Sequence, residues 1–309
     1  MSQSTGAALS FGDSLTAAVL ERRSQIVLGL DPDPDRLWPQ AVAAASGDTP
    51  AELAASAVAA HCRAVIDAAG EHCVAVKLQL ASFERLGAPG RTALSDATDF
   101  AHSAGLMVIA DGKRGDIGIS ATSYAASLLG GSETPWGRVE GLGADAVTVN
   151  PLLGAETVEP FVEAARSAGR GLFVLVRTSN PGAADIQDRD TGGGTTVSDR
   201  LAAMVDSLGV VGPASGLADV GAVVGATAPG HLASLRRLMP KAVVLLPGVG
   251  AQGGKVEDLA PAFAPGPGGG LVTVSRGIVH APGGSGDPAV AAAEAAAGYR
   301  SQAWSVSGG

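Results

Sequence analysis

The sequence predicts a single-domain (β/α)8 barrel over residues 1–309. Short Val/Ile/Leu-rich runs recur eight times along the chain. Each is followed by a polar or Gly-rich stretch and then an Ala/Leu-rich helical segment. The polar residues among these runs collect at their C-terminal ends. Near-continuous apolar runs separated by helices indicate a parallel sheet covered on its outer face. Eight such units fit closure into a barrel better than an open sheet. A doubly wound sheet is the alternative, and it is weakened because no GxGxxG follows the first run.

The eight runs are Gln25–Asp31, Cys73–Gln79, Met107–Lys113, Ala146–Asn150, Gly171–Thr178, Val220–Thr227, Ala242–Gly250 and Leu271–Gly277. A helix over Asp13–Arg23, with Asp13 as its N-cap, precedes the first. Further helices are expected over Ala51–Ala69, Thr92–Ala104, Ser120–Leu129, Ala155–Ala168, Ser198–Leu208, Gly230–Leu238 and Lys255–Phe263, with Pro288–Trp304 at the C-terminus. Gly130–Gly143, Gly192–Gly194 and Ala264–Gly270 read as surface loops or insertions. Residues 1–10 read as a flexible N-terminus. No linker is long enough to divide the chain.

Composition narrows the function. Of 309 residues 46% are hydrophobic but only 4% aromatic, so Ala, Val and Leu fill the core. The net charge is −9 with no basic block, which argues against a nucleic-acid groove. A small anionic substrate remains compatible, because one Arg and a few backbone amides can hold a phosphate. The first ten residues do not form a signal peptide and no run of apolar residues is long enough to span a membrane, so a cytoplasmic location is expected. Cys62 and Cys73 have no metal-ligand spacing and read as two buried thiols.

Asp31, Lys77, Asp111, Lys113, Asn150, Arg177 and Arg276 end strands, which in a barrel gathers them at the C-terminal mouth. The most informative stretch is Asp111-Gly112-Lys113-Arg114-Gly115-Asp116. Asp111 and Lys113 are two apart on a strand and share a face. Alone, this pattern is equally that of a salt-bridged strand end. Lys77 on the preceding strand changes the reading, because it falls beside Asp111 and makes an alternating charge array. Strand alternation turns Arg114 away toward a structural ion pair, and Arg177 suits either a structural or a binding role. The histidines at 61, 72, 102, 231 and 280 lie outside these motifs, which argues against His-based acid/base or zinc chemistry.

The ordered blocks LGLDPDPDRL, VKLQLASFE, ADGKRGDIG, VRTSNPGA, LLPGVGAQGG and VSRGI resemble the orotidine 5′-phosphate decarboxylase family, in its branch with the KRGDI motif. They run from residue 28 to residue 278. The resemblance implies a TIM barrel that converts orotidine 5′-phosphate to uridine 5′-phosphate and CO2 in pyrimidine biosynthesis, with no cofactor and no metal. It implies catalytic roles for Lys77, Asp111, Lys113 and Asp116. Asp31 would bind the ribose, Ser179 the pyrimidine, and Gln252 with Arg276 the phosphate, with Pro181 and Gly182 also among the substrate-binding residues. Asp116 and Ser120 would reach into the neighbouring subunit of a homodimer with shared sites. Two positions depart from the family pattern: Ser120 replaces a usual threonine, and Ser275 stands where many relatives have glycine.

The residue types suit that chemistry. Loss of CO2 from C6 leaves a carbanion with no adjacent π sink, so the site must stabilise charge electrostatically and protonate carbon. Lys113 can do both. Asp111 beside the substrate carboxylate would be repelled until CO2 departs. A metal-dependent sugar-phosphate decarboxylase or aldolase on the same barrel is a rival, but it carries a metal-binding glutamate where this chain has Lys77, whose ammonium cannot ligate a cation. A non-catalytic nucleotide-phosphate binder is a second rival, and it has no need of Lys77, Asp111, Lys113 and Asp116 together.

Overall fold

In the computed structural model, residues 10–282 and 286–309 are described, so the expected flexible segment lies almost wholly outside them. The strands are β1 (Ile26–Leu30), β2 (Ala75–Gln79), β3 (Met107–Arg114), β4 (Gly131–Thr134), β5 (Gly137–Glu140), β6 (Ala146–Val149), β7 (Gly171–Arg177), β8 (Val220–Val224), β9 (Val244–Leu246) and β10 (Gly270–Val274). Eight of them close into a parallel barrel in the order β1-β2-β3-β6-β7-β8-β9-β10, with β10 paired back to β1. Each corresponds to one of the eight apolar runs. They are buried almost throughout because helices cover them outside and side chains fill them inside.

The helices follow their expected segments, with informative differences. The first spans Phe11–Arg22, and its N-cap is Ser10, whose hydroxyl accepts from the Asp13 amide at 3.2 Å. Asp13 is therefore not the cap. Its buried carboxylate instead accepts from the amides of Ala214 and Ser215, at 3.2 and 2.7 Å, tying this helix to the loop before β8. The segment after β9 is a 3-10 helix, Val256–Phe263, rather than an α-helix. Pro261 inside it has no amide to donate one turn back. The Gly130–Gly143 insertion is an exposed antiparallel hairpin of β4 and β5, in which Arg138 pairs with Glu133 and Glu140. Cys62 and Cys73 are both free and buried, and burial pushes their thiols up to about 12.

The core has two parts. The larger lies between the barrel and its helices. The smaller fills the barrel itself, where Val27, Ala75, Ile109, Ala146, Phe173, Val223, Leu245 and Leu271 meet Phe11, Leu15 and Val19 of the first helix. That helix plugs the barrel floor. Phe11 stands edge-on to Phe173 with ring centroids 6.0 Å apart, and it packs where a Cβ on Gly171 would collide with its ring. With the interior filled by side chains below, only the C-terminal mouth is left open for chemistry.

The plug makes a testable demand on stability. Leu15 is 1% exposed, so Leu15→Ala should lower the unfolding free energy by about 2–5 kcal/mol in urea titration, with the m-value unchanged. A loss under about 1 kcal/mol would mean that the helix does not close the floor tightly.

Candidate active site

The site begins with a departure from regular strand geometry. β3 pairs Ala110 with Val147 and Arg114 with Val149, so it carries extra residues opposite β6. Within this bulge Lys113 takes φ +49°, a left-handed conformation that costs a lysine roughly 1–3 kcal/mol. Simple alternation therefore does not describe this stretch. The bulge turns Lys113 back over Asp111, with Nζ 2.6 Å from Oδ1. The Lys113 amide donates to Thr148 Oγ1 at 2.9 Å, and that hydroxyl donates to Asp111 Oδ1 at 2.8 Å, so one threonine on β6 holds both members of the pair. Gly115 follows, packed so closely on the Asn150 carbonyl that a Cβ would lie 2.6 Å from its oxygen. Arg114 points away to Glu84 and over the Tyr124 ring, the structural ion pair expected of it.

Asp111 is the centre of the charge array. Its Oδ2 accepts from Lys77 Nζ at 2.7 Å and from Gln79 Nε2 at 3.3 Å. Lys77 continues the chain to Asp31, 3.6 Å away. The order across the mouth is thus Lys113, Asp111, Lys77, Asp31. Asp111 and Lys77 are 5% and 6% exposed, so both charges exist only because they are paired. Burial pushes the Asp111 carboxyl up, but the two ammonium groups outweigh it and hold the group well below the usual carboxylate range. Burial likewise disfavours the Lys77 ammonium, and Asp111 with Asp31 more than reverses this. Lys113 is the accessible member, with its side chain 44% exposed.

These residues form one wall of a cavity of about 720 Å³ at the barrel mouth. Asp31, Lys77, Asp111, Lys113, Ser179, Gly182, Gln252 and Arg276 all line it. Leu175, Val223 and Leu245 supply an apolar floor. Ser179 follows β7 on a loop whose base is clamped by Arg177, which binds Asp188 through Nε at 2.8 Å and Nη2 at 3.0 Å. Arg177 is therefore structural. The Ser179 hydroxyl has no partner among the described residues, and a Cβ on Gly225 would strike the Ser179 backbone. Gln252 comes from the loop after β9, where Gly248, at φ +101°, passes close to it.

Three candidates lie off the cavity wall. Pro181 starts the short 3-10 helix Pro181–Asp185. Asp116, half-buried, accepts from the Ile117 amide at 2.8 Å, and Ser120 is exposed on the helix Gly118–Leu128. Conversely, the site uses Gln79 and Thr148, which the strand-end motifs did not single out, and Ser275, marked in the sequence only as a departure from the family's glycine. A threonine among the valines of β6 was a readable signal for Thr148. Ser275 donates its hydroxyl to Asp31 Oδ2 at 2.8 Å, and Gly29 leaves the room it needs, since a Cβ there would come within 2.8 Å of Ser275 Cβ. Among the described residues, no group of three His, Cys, Asp or Glu side chains is placed to hold a metal ion.

The pairing has a pH signature. Asp111 titrates below its ordinary 3.8 in the folded state, so its charge stabilises the fold fully above that value and progressively less as pH falls toward the folded pKa. Asp111→Asn should lower stability by roughly 3 kcal/mol at neutral pH, because Lys77 is left buried with a weaker partner. The gap between the two proteins should then narrow below about pH 4. A gap that stays constant from pH 7 to pH 3 in urea titrations would show that the carboxylate charge is not what matters.

A family model described as orotidine 5′-phosphate decarboxylase / HUMPS family matches residues 24–295. A curated orotidine 5′-phosphate decarboxylase from Deinococcus radiodurans is 45% identical over 280 residues, covering 89% of this chain and 90% of the relative. One from Rhodopirellula baltica is 41% identical over 277 residues, covering 88% and 89%. Among solved structures, a Streptomyces avermitilis protein provisionally described under the same name has a TM-score of 0.79 at 32% identity, with both chains covered in full. The Leishmania donovani OMP decarboxylase has a TM-score of 0.72 at 28% identity, covering 97% of this chain and all of that one. A charge array at a barrel mouth and relatives of this likeness over nearly the whole length lead to one conclusion: the chain belongs to the orotidine 5′-phosphate decarboxylase / HUMPS family, as a member of its decarboxylase branch.

Proposed function

We propose that this protein decarboxylates orotidine 5′-phosphate to uridine 5′-phosphate in pyrimidine biosynthesis, with Lys113 as the proton donor. The observation that carries the mechanism is the unbroken Lys113–Asp111–Lys77–Asp31 array on one wall of the cavity. The C6–carboxylate bond breaks, CO2 leaves, and the electron pair stays on C6. The Lys113 ammonium stabilises that charge and then delivers a proton to C6, regaining its own from solvent. Asp111 and Lys77 hold the ammonium in place with no reorganisation during the step. Asp31 binds the ribose, Ser179 reads the pyrimidine from the loop that Pro181 and Gly182 shape, and Gln252 with Arg276 takes the phosphate. Binding energy at the phosphate, remote from C6, can contribute to closing the site.

The array also bears on the sugar-phosphate rival. A divalent cation beside Asp111 would have to displace or neutralise Lys77, which sits 2.7 Å from that carboxylate. The site is accordingly read as one that works through its own charged side chains.

Asp116 and Ser120 are read as contributions to a neighbouring subunit of a homodimer. Both lie outside the home cavity, and the residues between and beside them are apolar and solvent-facing: Ile117 is 63% exposed and Ile119 87%. An isolated chain has no use for two exposed isoleucines flanking a catalytic-type carboxylate, whereas a two-fold interface covers both and delivers Asp116 twice.

Lys113→Ala should abolish decarboxylation in a spectrophotometric assay while binding of uridine 5′-phosphate stays measurable. Retention of more than about a tenth of kcat, a loss under ~1.4 kcal/mol, would remove Lys113 as the donor. Shared sites predict complementation. Lys113→Ala and Asp116→Ala, each nearly inactive, are mixed at equal amounts under subunit exchange. In a mixed dimer one pocket carries both lesions and the other neither, so about a quarter of all sites become wild type. Activity should rise toward that fraction. No rise, with exchange verified by labelled subunits, would mean that Asp116 acts within its own subunit.

A further inference from the structure

A second cavity, of about 320 Å³, adjoins the first and shares Asp31, Ser275 and Arg276 with it. The proposed reaction assigns it nothing. Its own wall includes Arg36, from the turn after β1, His61, from the helix Pro50–Ala69, and His280, which follows the short helix Arg276–Val279.

The polar groups around it are unevenly matched. Both carboxylates on the wall have partners: Asp33 accepts from Arg85 at 3.0 Å, and Asp31 from Ser275 at 2.8 Å, with Lys77 at 3.6 Å. The exposed basic groups are not paired in contact, although the Arg36 charge still acts on Asp33. Arg36, Arg276 and His280 make no ion pair among the described residues. His61 is 3% exposed and rigidly held. Its Nδ1 accepts the Trp38 amide at 3.2 Å, and its ring meets the Trp38 indole edge-on at 5.5 Å. Because Nδ1 accepts, the ring proton sits on Nε2. That donor has no hydrogen-bond partner among the described residues and opens onto the cavity, where it is available to an acceptor.

The four groups also act on one another. Burial and then the charges of Arg36 and Arg276 hold the His280 imidazole below its ordinary value. Burial and then His280 push His61 down to about 4. Two guanidinium and two imidazole groups thus face one hollow whose carboxylates, Asp31 and Asp33, already have partners. An oxyanion relieves all of these at once, since it offers several acceptor oxygens and negative charge.

We propose that the second cavity binds a phosphate-class oxyanion through Arg36, His61 Nε2–H and His280, and that this anion competes with the nucleotide's phosphate for Arg276. The competition rests on the reading of Arg276 as a phosphate ligand, whereas the site itself does not. A guanidinium on the shared wall cannot serve both cavities fully, so free phosphate would weaken nucleotide binding without occupying the nucleotide's place.

The probe is inorganic phosphate, titrated at constant ionic strength against chloride so that screening is held fixed. It is followed both by calorimetry and by its effect on the KM for orotidine 5′-phosphate. Phosphate should bind the wild-type enzyme and raise KM with kcat unchanged. Arg36→Ala should weaken both effects roughly tenfold while leaving phosphate-free kcat/KM as it was. His61→Asn keeps an acceptor for the Trp38 amide and deletes the Nε2 donor, and should weaken phosphate in the same direction. If phosphate binds and inhibits Arg36→Ala and wild type alike, it acts only in the nucleotide's own phosphate position and the second site is refuted. If binding depends on Arg36 but KM does not respond, the site stands and the sharing of Arg276 is refuted. Should His61→Asn fail to fold, the exposed Arg36 position decides the matter alone.

Discussion

The site depends on keeping Asp111 charged inside the protein. A carboxylate that is 5% exposed is tolerable only if its charge and its lone pairs are all answered. Two lysines, one threonine and one glutamine answer them, from β2, β3 and β6. Neighbouring strands of a closed barrel are the one arrangement here that brings those donors together at fixed distances. The order of strands and the position of charge are therefore a single requirement. A register error of one residue would turn these side chains to the outer face and leave Asp111 unpaired.

The same economy explains the strain at Lys113. A regular strand would carry this lysine onward with the sheet. The bulge opposite β6 and the left-handed backbone at Lys113 bring its ammonium back onto Asp111, and the Thr148 hydroxyl secures the turn from the neighbouring strand. The free energy stored in this conformation is small beside that of the paired charges, so it persists. What results is one buried ammonium, Lys77, and one that faces the cavity, Lys113, on either side of the same carboxylate. That asymmetry suits a pair in which one cation organises and the other reacts.

The rest of the mouth is organised around keeping those charges in place. The Phe11–Arg22 helix fills the barrel floor, so the interior below the array is packed with apolar side chains. Arg177 with Asp188 fixes the loop that carries Ser179. Ser275 ties Asp31, at the far end of the array, to the backbone just before Arg276. The charged wall and the basic residues beside it are thus connected through β1 and β10, the two strands at which the barrel closes. It is at this seam that the second cavity lies, and Arg276 faces both hollows.

Much of this was legible in the amino-acid sequence, because it is written locally. Apolar runs of strand length, helical segments between them and polar residues at the run ends are properties of short windows, and the eight strands follow them closely. The adjacency of Lys77 and Asp111 was also legible, since consecutive parallel strands in such a pattern lie side by side. What only the tertiary structure decided are the features set by partners distant in sequence. Asp13 reads locally as a helix cap, yet it serves the amides of Ala214 and Ser215, some two hundred residues away. The bulge that aims Lys113 depends on its pairing with β6. Thr148 looks like an ordinary strand residue, and Ser275 like a mere departure from the family's glycine, until Asp111 and Asp31 arrive beside them. Local pattern determined which residues form strands and which strand ends are charged. Closure of the barrel determined which of those charges meet, because hydrogen bonds and ion pairs act over a few ångströms of space regardless of separation along the chain.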